Sequence, residues 1–115
     1  MGPIEIQRVY DHHPREGTAF LVDRLWPRGV SKEELHADEW LKDVAPSPEL
    51  RTWFGHLPER FPEFARRYRA ELDRHPDALE PIRKAAGKGP VTLLYAAKDT
   101  EHNQAVVLRD YLNGS

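Results

Sequence analysis

The run from Pro90 to Ala96 constrains this chain more than any other stretch. Val91, Thr92, Leu93, Leu94 and Tyr95 follow one another without the polar alternation of a strand that has one wet face. A near-continuous apolar strand is buried on both sides, which is the habit of parallel sheets covered by helices. Parallel strands cannot be joined by tight hairpins, so helical crossovers must alternate with strands along the rest of the chain. The sequence supplies them. Ile4 to Tyr10 reads as a strand with a slip near its end, followed by a turn-rich loop over Asp11 to Gly17. Ala19 to Leu25 reads as a second strand, closed by Pro27 and Gly29. Ser31 and Glu34 have the spacing of a capping box and announce a short helix. Glu39 to Val44 is ambiguous between strand and turn.

Four further helices are expected. Pro48 to Phe54 starts on a proline, which suits a first turn. Pro58 to Leu72 carries Phe61, Phe64, Tyr68 and Leu72 at helical spacing, with Arg and Glu on the other face. Pro76 to Lys88 should kink or restart at Pro81 and stop at Gly87 and Gly89. A last helix, capped by Asp99 or Thr100, should run to about Leu112. The expected fold is an α/β sandwich with a mostly parallel sheet of three to four strands and helices on both faces. At 115 residues it should be one domain, spanning residues 1–115.

Composition removes several function classes. The formal charge of -2 argues against a general polyanion binder, though not against a local basic pocket. The absence of cysteine removes disulfides, thiolate nucleophiles and cysteine metal sites, and fits a reducing compartment. The first residues show no basic and apolar signal region, and no apolar run approaches the roughly 20 residues of a membrane span. A cytoplasmic protein without membrane contact is expected. No tight metal is expected either: His12-His13 has no third ligand nearby, and no histidines stand four apart. No P-loop, GxGxxG, GxSxG or HExxH motif is present, so no cofactor is indicated.

Three stretches concentrate chemistry. In Leu21-Val22-Asp23-Arg24-Leu25-Trp26-Pro27-Arg28-Gly29, Asp23 and Arg24 fall at the end of an otherwise apolar strand. A charge there must be paired or must meet ligand, and ligands of open α/β sheets bind outside the carboxyl ends of strands. Gly29 would allow close backbone approach beside Arg28. The bland alternative is an Asp23–Arg24 network that pins the turn. In the second stretch, Tyr95 to Gln104, small residues at Ala96 and Ala97 leave room. Lys98 offers a cation, and the helix start offers N–H groups to an anion. His102 and Asn103 are expected in the first helical turn, facing the same crevice; the alternative is plain capping. The third stretch, Trp40 to His56, is dense in Trp, Lys, Arg and His. It adds Lys42, Ser47, Arg51, Trp53 and His56 as candidates, against helix capping for Ser47 and core packing for the tryptophans. Arginines 66, 67, 69 and 74 share their helix with Glu59, Glu63, Glu71 and Asp73, so that stripe reads as a solvated, ion-paired face.

Taken in order, LVDRLWPRG at 21–29, WLKDVAPSPELRTWFGH at 40–56, PERFPEFARRYRAEL at 58–72 and VTLLYAAKDTEHNQAVVL at 91–108 resemble the YeaO-like branch of the family called domain of unknown function 488. The resemblance implies a small Rossmann-like α/β domain and no established activity. The chain departs from the family pattern in three places. Thr18 and Ala19 follow Gly17 where an Arg is usual. Leu57 stands before Pro58 where Asp is usual, so that helix should lack its cap. Phe61 replaces a common Trp. Another branch carries a Cys at the end of the last strand and a Cys-His-Arg group after it; here Tyr95 and His102-Asn103-Gln104 occupy those regions.

The leading expectation is a domain binding an anionic or nucleotide-like small molecule, with Arg24, Arg28, Lys42, Arg51 and Lys98 for charge and Trp26 or Trp53 for stacking. The alternative is a cofactor-independent enzyme. There His102 or His56 would be the general base and Asp99 or Asp23 would orient it, with Arg and Lys stabilising developing charge. Nucleic-acid binding is a third reading, opposed by the net charge. Oligomeric state is not legible.

Overall fold

The computed structural model describes residues 3–11 and 15–114; the His12-His13 pair lies outside the described residues. Four strands form one sheet: β1 (Ile4–Arg8), β2 (Thr18–Leu21), β3 (Glu39–Trp40) and β4 (Val91–Tyr95). Their order is β1-β4-β2-β3 and every pairing is parallel. The apolar run therefore occupies the interior of the sheet. All five residues of β4 are buried, and Leu93 lies in register between Ile6 and Phe20.

The two faces of this sheet are covered unequally. Phe20, Val91, Leu93 and Tyr95 join the larger core, which is built with α2 (Pro48–Phe54), α3 (Phe61–Arg74), α4 (Glu80–Ala86) and α5 (Gln104–Leu112). Phe64, Tyr68 and Leu72 of α3 are all buried there, as their spacing requires. Each stabilises the fold by about 1.5–3 kcal/mol through area removed from water. On the other face, Ala19, Leu21 and Leu94 pack with Val9 and with Leu35 of α1 (Lys32–Leu35), a single turn closed by the Ser31–Glu34 capping box. Helices thus lie on both faces, but one face has four and the other has one turn.

The boundaries differ from expectation for identifiable reasons. The second strand ends at Leu21, not Leu25. Its last ladder bond runs from the Val22 amide to the Leu94 carbonyl (3.0 Å), and Asp23 then turns away to bond a loop. Residues 58–60 form a 3-10 turn ahead of α3, entered at Leu57 without any side-chain cap. Residues 76–79 form another, and Pro81 falls in the first turn of α4, where its missing N–H costs nothing. The last helix starts later than Asp99 or Thr100 would set it. Its cap is Asn103, whose Oδ1 accepts from the Val106 amide at 3.1 Å. Asp99 instead closes the preceding turn, accepting from the Glu101 and His102 amides at 2.9 Å each.

Gly17 is fixed by packing. It adopts φ 75°, and a Cβ there would sit 2.0 Å from the Pro90 carbonyl oxygen that accepts the Thr18 amide at 3.1 Å. Only glycine lets the chain enter β2 so close to β4. Among the described residues no helix is long and apolar enough to cross a membrane.

Candidate functional site

The connection after β2 leads to α1 on the thinly covered face, while the connection after β4 leads to α5 on the other. β2 and β4 are neighbours, so their carboxyl ends diverge. That divergence is the switch point at which open α/β sheets hold ligands. A cavity of about 870 Å³ lies there. One wall is the loop Asp23 to Arg28. A second is Ala96 to Asp99 with Gln104 of α5. The third runs from Ala45 and Pro46 through Arg51, Thr52 and Phe54 to His56, and Tyr10 reaches in from beyond β1.

Asp23 is the pivot of this cleft. Its Oδ2 accepts from the Ala96 amide at 2.9 Å, and its Oδ1 accepts from the Gln104 side-chain amide. Its backbone carbonyl accepts from the Trp40 indole at 2.7 Å. The carboxylate so ties the loop after β2 to the loop after β4 and to α5. Burial pushes its pKa up from 3.8 to about 6, against the two hydrogen bonds and the nearby Arg51 charge that favour ionisation. Arg24 does not pair with Asp23. Its guanidinium donates to the carbonyls of Pro46 and Ala45, both at 3.3 Å, and so holds the loop before α2.

Four cations border the cleft: Arg24, Arg28, Arg51 and Lys98. None of them forms a salt bridge among the described residues. Arg28, Arg51 and Lys98 are exposed, ready to meet solvent ions or a ligand. The two wall carboxylates are Asp23 and Asp99. The amides of Glu101 and His102 hold the latter's pKa below the usual carboxylate range. The rim is apolar, with Leu25 64% exposed and Tyr10 39% exposed. The Tyr10 hydroxyl donates to the Arg28 carbonyl at 3.0 Å and fixes that loop. Trp26 is half-buried on the same wall, its indole N–H bonded to the Val30 carbonyl and its ring edge-on to Trp40.

The structure thus brings Asp23, Arg24, Trp26, Arg28, Arg51, His56, Lys98 and Asp99 around one cavity. It leaves five other candidates off its walls. Asn103 is a buried cap that also donates to the Asp99 carbonyl at 2.8 Å. His102 precedes α5 instead of lying in its first turn. Its Nδ1 meets Asp99 Oδ2 at 2.9 Å and its ring packs edge-on against Phe61. With Asp99 and Asn103 already accepting the amides of residues 101, 102 and 106, much of the expected N–H anion seat is occupied. Ser47 caps α2 and bonds Glu71 at 2.6 Å, facing a separate cavity. Lys42 lies over the Trp40 ring, 4.8 Å from its centroid. Trp53 is flanked by the guanidinia of Arg67 and Arg60. Gly29 has φ 78° and nothing within 4 Å of where a Cβ would be, so it serves the turn and not a close approach. Gln104, Tyr10 and Thr52 line the cleft although the sequence did not single them out. Among the described residues no group of three or more His, Asp or Glu could hold a metal. On α3, Glu63 binds both Arg66 and Arg67, at 2.6 and 2.8 Å, so that half of the stripe is ion-paired, whereas Glu71 and Asp73 bond Ser47 and Tyr111.

Residues 3–115 match a family described as the inactive DUF488-N3 subclade. The chain belongs to the DUF488-N3i family. The uncharacterized protein Rv3073c of Mycobacterium tuberculosis is 46% identical to this DUF488-N3i chain over 112 residues, covering 96% of this chain and 94% of that protein. The uncharacterized protein YeaO of Escherichia coli is 44% identical over 110 residues, covering 95% and 96% respectively. No solved structure matches. In this DUF488-N3i member β4 ends on Tyr95 and the chain has no cysteine, so thiol chemistry has no nucleophile here.

Proposed function

We propose that this chain is a cytoplasmic binding domain for a small anionic, nucleotide-like molecule, held in the cleft at the carboxyl ends of β2 and β4 without turnover. The observation that carries the reading is the gathering of Arg24, Arg28, Arg51 and Lys98 on one cavity, none of them in a salt bridge among the described residues. A protein of net charge -2 that gathers four cations and two carboxylates on one pocket keeps a local positive excess there, a field suited to phosphate or carboxylate. Guanidinium groups match both bidentately. The exposed Tyr10 and Leu25 and the half-buried Trp26 offer an apolar platform beside the charges, as a nucleobase would need. The word inactive in the family's description supports binding over catalysis. The Asp99–His102 contact favours the enzymatic alternative, but that imidazole is not on the cleft wall.

A thermal-shift screen of inorganic phosphate, sulfate, nucleoside monophosphates and small carboxylates tests the reading. Saturation at about 100 times the dissociation constant stabilises the fold by roughly 2.7 kcal/mol, a shift on the order of 10 °C for a domain of this size. Arg28→Ala should remove most of that shift and leave the unliganded midpoint nearly unchanged. Arg24→Ala should lower the unliganded midpoint too, because two carbonyls lose their donor. No shift with any anion, together with a destabilised Arg28→Ala, would overturn the binding reading.

A further inference from the structure

Asp23 sets a negative charge among the very cations that make the cleft attractive to anions. Resting on the anion-binding reading above, we infer that anion binding in this cleft is coupled to proton uptake, with Asp23 taking a proton from solvent as the anion enters. The geometry requires a choice. The carboxylate lies in the same loop as Arg24 and shares the cavity lining with Arg51, whose charge acts on it. An incoming dianion must share those cations with it, and two like charges in a partly desolvated cleft do not both keep full ionisation. Protonation relieves the repulsion at little structural cost, since one Asp23 oxygen still accepts from the Ala96 amide and the Trp40 bond to its backbone carbonyl is untouched.

Few other facing groups can supply this pH dependence. The guanidinium and ammonium groups of the cleft are those of Arg24, Arg28, Arg51 and Lys98. Tyr68 of α3, which feels the Asp23 charge, is fully buried and its pKa is pushed upward, so it stays neutral. Asp99 is held ionised by the amides of Glu101 and His102. The imidazole of His102 sits against Asp99 and off the wall, and Gln104 is neutral. His56, on the third wall, is an imidazole lining the same cavity, so it is the control. Burial already brings Asp23 to about 6, within reach of a modest further shift.

The test measures sulfate affinity by titration calorimetry from pH 5.5 to pH 8, in two buffers of different ionisation enthalpy. Sulfate stays dianionic throughout, so the probe itself does not titrate. Affinity should fall about tenfold across the range, with net proton uptake visible as a buffer-dependent heat. Asp23→Asn should bind at pH 8 as tightly as the wild type does at pH 5.5 and lose the pH dependence. His56→Gln should keep it. Gln104→Met removes a donor from Asp23, so its loss of affinity should move to higher pH; this variant decides the matter should Asp23→Asn fold poorly. Sulfate bound equally at both ends of the range, or a dependence that survives Asp23→Asn or vanishes in His56→Gln, overturns the coupling alone. Absence of sulfate binding at every pH overturns the anion-site reading beneath it.

Discussion

At the scale of single residues, charge at the end of an apolar strand was the readable signal. Asp23 and Arg24 followed from that logic, because a charged side chain leaving a buried strand must have a partner or a ligand, and both have partners here. What pairs with Asp23 was not readable, since its partners lie 73 and 81 positions away. Gln104 gave no signal of its own, being a neutral amide beside more conspicuous residues. Trp53 was misplaced for a geometric reason: it stands two positions from Arg51 on α2, about 200° around the helix. When Arg51 faces the cleft, Trp53 turns toward Arg60 and Arg67. The raised pKa of Asp23 also has a stability consequence. A carboxyl whose folded pKa exceeds its unfolded one holds more protons in the native state between the two values, so stability declines as pH rises from about 4 to about 6 and then levels. Asp23→Asn should therefore exceed the wild type in stability at pH 7.5 by roughly 3 kcal/mol, less whatever the weaker acceptor costs, and lose that advantage at pH 4. Urea unfolding at the two pH values would show it; equal differences at both would refute it.

At the scale of elements, helices with a chemical punctuation mark were legible. The Ser31–Glu34 box, the Ser47-Pro48 start and the restart at Pro81 all carry their reason in one or two side chains. The start of α5 was expected at Asp99 or Thr100, but the cap is the buried Asn103, which bonds the Val106 amide and the Asp99 carbonyl at once. Asn103→Ala should cost about 1–2 kcal/mol, read as a lowered thermal midpoint, because both groups lose a partner. The C-terminal end of α2 is the opposite case. Gly55 and His56 are both left-handed, at φ 55° and 58°, and only the first is a glycine. His56→Gly should raise stability by up to about 1 kcal/mol while weakening whatever the cleft binds through the imidazole. A midpoint that falls instead would mean that the tilted contact of His56 with Phe54, with centroids 6.0 Å apart, outweighs the backbone strain.

At the scale of the molecule, one buried strand implied the parallel sheet, and strand–helix alternation implied the class. The order β1-β4-β2-β3 was not implied, because the last strand inserts between the first two and no local pattern encodes that. Nor was the asymmetry of the two faces. That asymmetry has a dynamic consequence. Amide protons of β4 and of α3, which share the larger core with α2, α4 and α5, should exchange with solvent deuterium only through global unfolding. Those of α1 and the loop from Asp23 to Val30, secured by Leu35, the capping box and a few backbone bonds, should exchange orders of magnitude faster through local opening. One wall of the cleft belongs to that loosely held layer. A ligand seated against it would tighten the layer without touching the main core, so its occupancy would be written most strongly in the exchange rates of residues 23 to 35.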